Sequence, residues 1–287
     1  MATSGTFPLL ELPSTPLLHL LQLLPHASLA TLAASCSFLH ATLHSSPSLW
    51  RRLTLRPTSV ASAAATQALL AVLRRHGAAV TVVRLTDGRG QYWQNDAVTQ
   101  VGLRVPQVAY VQVLGLLAAS CPLLPHLSLR AILLGRATNP LSVLATCLPH
   151  LATLTIKHLH VLGGRAGLKE LAGLTGLTHL VLRPNCSRKT MEMLALVFSQ
   201  LRGLRVVSVG FASCLRSPHT RPHLAPATFL PTLLAHNPGL QEVELVQDHF
   251  CSVFASPHHR ALLGRRGVRL AQPGRDPVYD SSDEEIE

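Results

Sequence analysis

Six times along the chain the residues run apolar-x-x-apolar-x-apolar: VTVVRL from Val80, LPHLSL from Leu124, LATLTI from Leu151, LTHLVL from Leu177, LRVVSV from Leu204 and LQEVEL from Leu240. Apolar alternation over so short a run predicts a β-strand with one face in a core, since strand side chains alternate sides. The starts at 124, 151, 177 and 204 lie 27, 26 and 27 residues apart. Between them the spacing turns helical. Thr190–Gln200 places Met191, Leu194, Ala195 and Phe198 on one face, and Pro106–Ser120 and Ala227–His236 read alike. One strand and one helix at a fixed period predict a stack in which each unit buries its apolar side against the next. Two intervals depart from it: 44 residues from Val80 to Leu124, and 36 from Leu204 to Leu240. The longer contains residues 86–104, TDGRGQYWQNDAVTQVGLR, rich in turn formers and read as an insertion.

The N-terminal pattern differs. From Leu12 to Trp50 there is no Asp, Glu, Lys or Arg, and the run ends in SLWRR. It reads as three short helices. Ser14 or Thr15 caps the first, with Pro16 in its first turn and Leu17, Leu20, Leu21 and Leu24 along one stripe, until Pro25 stops it. Ser28 caps a second, bearing Leu29, Leu32, Ala33 and Cys36; the third covers Phe38 to Leu43, before Leu49 and Trp50. So small a unit, apolar on several faces, must bury surface against the rest of the chain or a partner. Residues 57–67, PTSVASAAATQ, read as a connector.

Charge adds an asymmetry. Residues 1–275 hold all 25 bases and 8 of the 14 acids, +17, while the tail DPVYDSSDEEIE at 276–287 holds six acids, −6. A basic body with an acidic appendage results, and the tail's charge density predicts disorder. Nucleic acid is not the expected partner: no docking motif occurs and aromatic residues are only 4%. The six cysteines stand singly, as thiols of a reducing compartment do. Leu17–Leu24 is preceded by Glu11 and flanked by Pro16 and Pro25, so it is not read as a secretory signal, and no run is long enough to span a membrane. A cytoplasmic or nuclear location is expected.

Catalytic and metal chemistry find little support. Cys214, His219 and His223 read C-x4-H-x3-H, but no second pair is spaced to close a zinc tetrahedron. GGRAGLKE at 163–170 imitates a phosphate loop with its lysine one place late and Glu170 where a hydroxyl would hold magnesium, so it is read as a turn into a helix. No paired carboxylates stand out. Neither an enzyme, a metal nor a cofactor is expected.

The N-terminal segment resembles an F-box. The positions that carry the resemblance are Leu12, Pro13, Leu24, Pro25, Leu29, Ala33, Cys36, Leu49, Trp50 and Arg51; Thr15, Ser35 and Leu39 depart from the usual pattern. The 26–27-residue period resembles leucine-rich repeats, and the two together resemble the F-box/leucine-rich-repeat family over residues 8–255. Asn185 and Cys121 stand where that repeat buries an asparagine or cysteine. The resemblance implies an α+β chain: a three-helix F-box at 8–56, the connector at 57–67, and an α/β solenoid of about six strand–helix repeats at 68–255. A disordered tail, basic then acidic, would occupy 256–287. It also implies a substrate-recognition adaptor of an SCF-type ubiquitin ligase, docking on a Skp-type adaptor and cullin scaffold through Leu12, Pro13, Leu24, Pro25, Leu29, Leu32, Cys36, Leu49 and Trp50. The rival is a repeat scaffold with a helical cap and no ubiquitin role.

Strand geometry singles out one more surface. The third, fifth and seventh positions of each strand motif point away from the core. The seventh positions are Arg130, Lys157 and Arg183, a column of cations with His126, Thr153, Thr155, His179 and Ser208 beside it and Glu242 and Glu244 at the far end. Such a column suits an acidic or phosphorylated protein target.

Overall fold

The computed structural model describes residues 12–24, 28–29, 32, 35–56, 63–86, 104–134, 139–161, 166–184, 188–210, 229–246 and 257–271. The chain is α/β, built on one eight-stranded sheet that is parallel throughout and whose strand order is the chain order. The strands are β1 (Arg52–Leu55), β2 (Val82–Leu85), β3 (His126–Leu134), β4 (Thr153–Val161), β5 (His179–Pro184), β6 (Val206–Gly210), β7 (Glu242–Val246) and β8 (Arg269–Ala271). Nine helices are present among the described residues. They are α1 (Ser14–Gln22), α2 (Ser37–Ser45), α3 (Ala63–His76), α4 (Arg104–Ser120), α5 (Pro140–Cys147), α6 (Ala166–Lys169), α7 (Arg188–Gln200), α8 (Phe229–His236) and α9 (Pro257–Arg265).

All six strand motifs form strands, because each supplies two inward apolar residues at the right spacing. Leu127 and Leu129, Leu154 and Ile156, Leu180 and Leu182, and Val207 and Val209 are sealed in one core with Val113, Leu114 and Leu117 of α4 and Leu194, Val197 and Phe198 of α7. Entry into the strands repeats. Leu124, Leu151, Leu177 and Leu240 each donate their amide to the carbonyl three residues earlier, on Cys121, Leu148, Leu174 and Asn237. The carbonyls of Pro125, Ala152, Thr178 and Arg205 then each accept two amides of the following unit. The same backbone bonds thus recur at the sequence period, and each strand adds to the previous one without a crossing.

Several expectations shift. Arg52–Leu55, placed within the N-terminal unit, is an edge strand of the sheet, with Leu53 buried. Residues 63–67 of the expected connector are the first turn and a half of α3, since three alanines in a row favour helix. Residues 257–271, placed in a disordered tail, form α9 and β8, with Leu263 and Val268 buried as their anchors. The charged residues around them mask that apolar pair in the sequence. The sheet therefore has eight strands rather than about six. Ser14 lies inside α1 rather than capping it, and Cys36 caps α2 by accepting the Leu39 amide through Sγ at 3.3 Å. Pro25, Ala33, Asn185, most of the insertion, the Cys214–His223 group and the acidic tail lie outside the described residues.

Candidate functional site

Two surfaces hold the residues singled out from sequence. The first is the N-terminal helical unit. Helix α1 buries Leu17 and Leu21, four apart on one face, and these join Leu29, Leu39, Leu43, Leu49, Trp50 and Leu53 in a core continuous with that of the sheet. Trp50 is the joint. Its indole Nε1 donates to the Leu43 carbonyl at 2.9 Å, and its ring stacks on His76 of α3, with centroids 4.8 Å apart and planes 8° from parallel. His44 continues the stack, its Nδ1 3.3 Å from His76 Nε2. Burial, then the neighbouring His40 and Arg75, lowers the pKa of His44; burial, then His44 and Arg75, lowers that of His76. Two neutral imidazoles sharing one N–H between them fit such a stack.

The predicted docking residues divide. Leu29, Leu49 and Trp50 are interior, whereas Leu12, Leu32 and Cys36 are half-buried and Pro13 is exposed. The open apolar surface belongs instead to Leu20 at 44%, Leu23 at 74%, Leu24 at 38% and Phe38 at 47% exposure. Of these only Leu24 was among the predicted docking residues, although Leu20, Leu23 and Leu24 share the i, i+3, i+4 spacing of one helical stripe. Pro25 lies outside the described residues.

The second surface is the sheet face opposite the core. Register sets its rows. One runs Arg52, Val82, His126, Thr153, His179, Val206, Glu242, Arg269; the next runs Thr54, Arg84, Ser128, Thr155, Val181, Ser208, Glu244, Ala271. Arg130 sits beside Lys157 in the third row. The column of three cations does not continue to Arg183. Pairing between β4 and β5 shifts register after Ile156, and the Arg183 guanidinium turns along the sheet, donating to Ser208 Oγ at 3.0 Å and Glu244 at 3.4 Å. Ser208 also donates to Glu244. Glu244 is 1% exposed and Ser208 0%, so this bridge across three strands is inside the face rather than on it. Sequence spacing put Arg183 in the column beside Lys157 and could foresee neither the register shift nor that an arginine reaches a carboxylate two strands away. Glu242 is held likewise by Arg269 of β8, whose Nε lies 3.0 Å from it.

Thr153 and Thr155 are buried, Thr153 between His126 and His179 and Thr155 between Ser128 and Val181. His179 Nδ1 meets the Thr178 hydroxyl at 2.8 Å, while His126 Nδ1 is buried with no hydrogen-bond partner among the described residues. Burial lowers the pKa of both, for His179 with His126 and Arg205 adding to it. Polar contacts therefore hold the β5–β8 half of the face closed by internal ion pairs, and the cations Arg52, Arg84, Arg130 and Lys157 lie on the β1–β4 half.

Among the described residues no group of three or more His, Cys, Asp or Glu is placed to hold a metal ion, and no helix is long and apolar enough to cross a membrane. No protein-family model matches the chain, and no curated protein matches it.

Proposed function

We propose that the chain is an F-box/leucine-rich-repeat protein that recruits targets to an SCF-type ubiquitin ligase and carries no catalytic centre of its own. The N-terminal helices would dock on a Skp-type adaptor, which joins a cullin scaffold, and the polar sheet face would take a protein target that is acidic or phosphorylated. Arg130, Lys157, Arg183, His126, Thr155 and His179 would line that face, with Arg183 acting through its bridge to Glu244. A cytoplasmic or nuclear setting goes with this role. The observation that carries the reading is the exposed patch of Leu20, Leu23 and Leu24 at the end of α1, with Phe38, on a unit that buries Leu17, Leu21, Leu29, Leu39 and Leu43. Each leucine covered completely by a partner contributes about 1.5–3 kcal/mol, enough in combination for a stable complex.

Affinity capture tests it. The Leu20→Asp/Leu23→Asp pair alters side chains that are already in water, so the fold should persist while capture of the adaptor and cullin is lost. Leu12→Ala/Pro13→Ala should act in the same direction. Undiminished capture by both variants, with unchanged circular dichroism, overturns the assignment. The second reading, a repeat scaffold with a helical cap, draws on Leu29, Leu49 and Trp50, which are packed as a cap's residues would be. It expects no adaptor in the capture from the unaltered chain.

A further inference from the structure

The cations on the β1–β4 half form a diagonal band. Arg52 lies in the first row on β1, Arg84 in the second on β2, and Arg130 in the third on β3, with Lys157 beside it on β4. One strand across and two residues along is about 8 Å per step, close to the spacing of same-side residues on an extended peptide. Strands β1 to β4 contain no carboxylate, whereas β7 contributes two that are already paired with Arg183 and Arg269. Arg84 and Lys157 also engage groups of the fold, and Arg52 and Arg130 are the exposed members. The backbone of Arg130 is fixed: the buried Tyr110 of α4 donates its hydroxyl to the Arg130 carbonyl. The band is thus an anion-binding strip held on a rigid sheet.

The chain supplies an anion of matching length. Beyond β8 the chain continues for residues 272–287; from Asp276 on, this stretch contains Asp276, Asp280, Asp283, Glu284, Glu285 and Glu287 and no base, Arg275 preceding them. Because all the strands are parallel, the chain leaves β8 at the same end of the sheet as Arg130 and Lys157. From β8 to β4 is four strand spacings and to β3 five, about 19 and 24 Å. The nine residues from Ala271 to Asp280 can span up to about 30 Å, and the sixteen to Glu287 up to about 53 Å. The acidic residues can therefore reach Lys157 and Arg130 with chain to spare.

We propose that residues 276–287 dock on the polar face of their own sheet, along Lys157, Arg130 and Arg84, and that an acidic target must displace them. The docking itself does not depend on the ubiquitin-ligase reading. It is an intramolecular contact of high effective concentration, in the millimolar range for a short linker, held by charge and therefore sensitive to salt. Its occupant is already tethered in place, which is why a free acidic peptide has to compete.

The full chain can be tested directly, because it has only three lysines: Lys157, Lys169 and Lys189. A zero-length carbodiimide cross-linker joins carboxylates to amines in contact. Mass spectrometry of the monomer should find residues 280–287 joined to Lys157, with the yield falling severalfold in 0.5 M salt, where the screening length is only about 4 Å, and in Arg130→Glu. Links mainly to Lys169 or Lys189, links only between two chains, or a yield indifferent to salt overturn the proposal. A second measurement guards against a lysine that is near but does not react. A fluorescent synthetic peptide of residues 274–287 should bind a full chain carrying Asp280→Asn, Asp283→Asn, Glu284→Gln and Glu285→Gln at least tenfold tighter than the unaltered chain. Equal binding, no binding to either, or tightening that persists when Arg130→Glu is added refutes it.

Discussion

Asn237 carries the most quantitative prediction. It stands three residues before Leu240, in HNPGLQEVEL, and is 1% exposed. Its side chain joins two units of the stack. Oδ1 accepts the Leu204 amide at 3.2 Å, and Nδ2 donates to the Phe198 carbonyl at 3.2 Å and the Leu233 carbonyl at 3.1 Å. The entry amides of the neighbouring strands bond to a carbonyl within their own turn; Leu204 instead borrows the asparagine. Asn237→Ala would leave the Leu204 N–H buried without an acceptor, a cost of about 1–3 kcal/mol, and would remove two further bonds worth about 0.5–1.5 kcal/mol each. The total, about 2–6 kcal/mol, is a large share of a typical stability of about 5–15 kcal/mol. Urea denaturation checks it: the midpoint should fall with the slope unchanged, since the surface exposed on unfolding is the same. Amide exchange at Leu204 should accelerate more than at Leu177, whose turn is self-contained. A loss under about 1 kcal/mol, or equal acceleration at both amides, would refute the claim that this side chain closes the turn.

Two further outcomes follow from the packing. His44, His76, His126 and His179 all have lowered pKa values, burial first among the causes, so the native state holds them neutral while the unfolded chain protonates near pH 6.5. Their contribution is fully present above about pH 6.5 and is lost as pH falls through the lowered native values; urea midpoints at pH 7.5 and 5.5 should show the drop, and His44→Gln/His76→Gln should flatten it. Gly77 follows α3, and a Cβ there would lie 2.2 Å from the Ser120 carbonyl oxygen at the end of α4. Gly77→Ala must push two backbones apart, at about 1–3 kcal/mol, and should lower the thermal midpoint by several degrees; an unchanged midpoint would mean that contact is loose.

How far the sequence carries the reader depends on which interaction decides. Strand motifs at Leu124, Leu151, Leu177 and Leu204 were legible because inward leucines at period two, repeated every 26–27 residues, leave few alternatives. Helices at 104–120, 188–200 and 229–236 fell within two residues of expectation for the same reason. Strand β8 was not legible: Arg269, Leu270 and Ala271 carry little pattern, and the strand exists because β7 offers a partner edge. On the site, spacing assigned the first two rows correctly and the third only as far as Arg130 and Lys157. What it could not give was the fate of each charge, since Arg183 reaches Glu244 across an intervening strand and 61 residues of sequence. The burial of Trp50 was equally hidden, because its partner His76 lies beyond the N-terminal unit altogether.

That burial bears on how the two surfaces are related. A docking unit joined to a recognition domain by a slack tether would leave a bound target free to wander. Here only Arg51 separates the short 3-10 helix Pro47–Trp50 from β1. The Arg51 carbonyl accepts from the Thr81 amide at 2.9 Å, the Val82 amide at 2.9 Å and the Thr81 hydroxyl at 3.2 Å, so the joint residue is pinned to β2. On one side of it Trp50 is stacked against α3, and on the other Leu53 is sealed in the sheet core. Rotation of the helices against the sheet would have to break the stack, open the core and strip three hydrogen bonds from one carbonyl. Leu20, Leu23 and Leu24 at the end of α1 and the cationic band of β1–β4 are therefore held at a fixed separation and angle. A rigid joint of this kind suits a protein that presents what it binds in one orientation, and under the proposed reading it would make the placement of the N-terminal helices part of recognition.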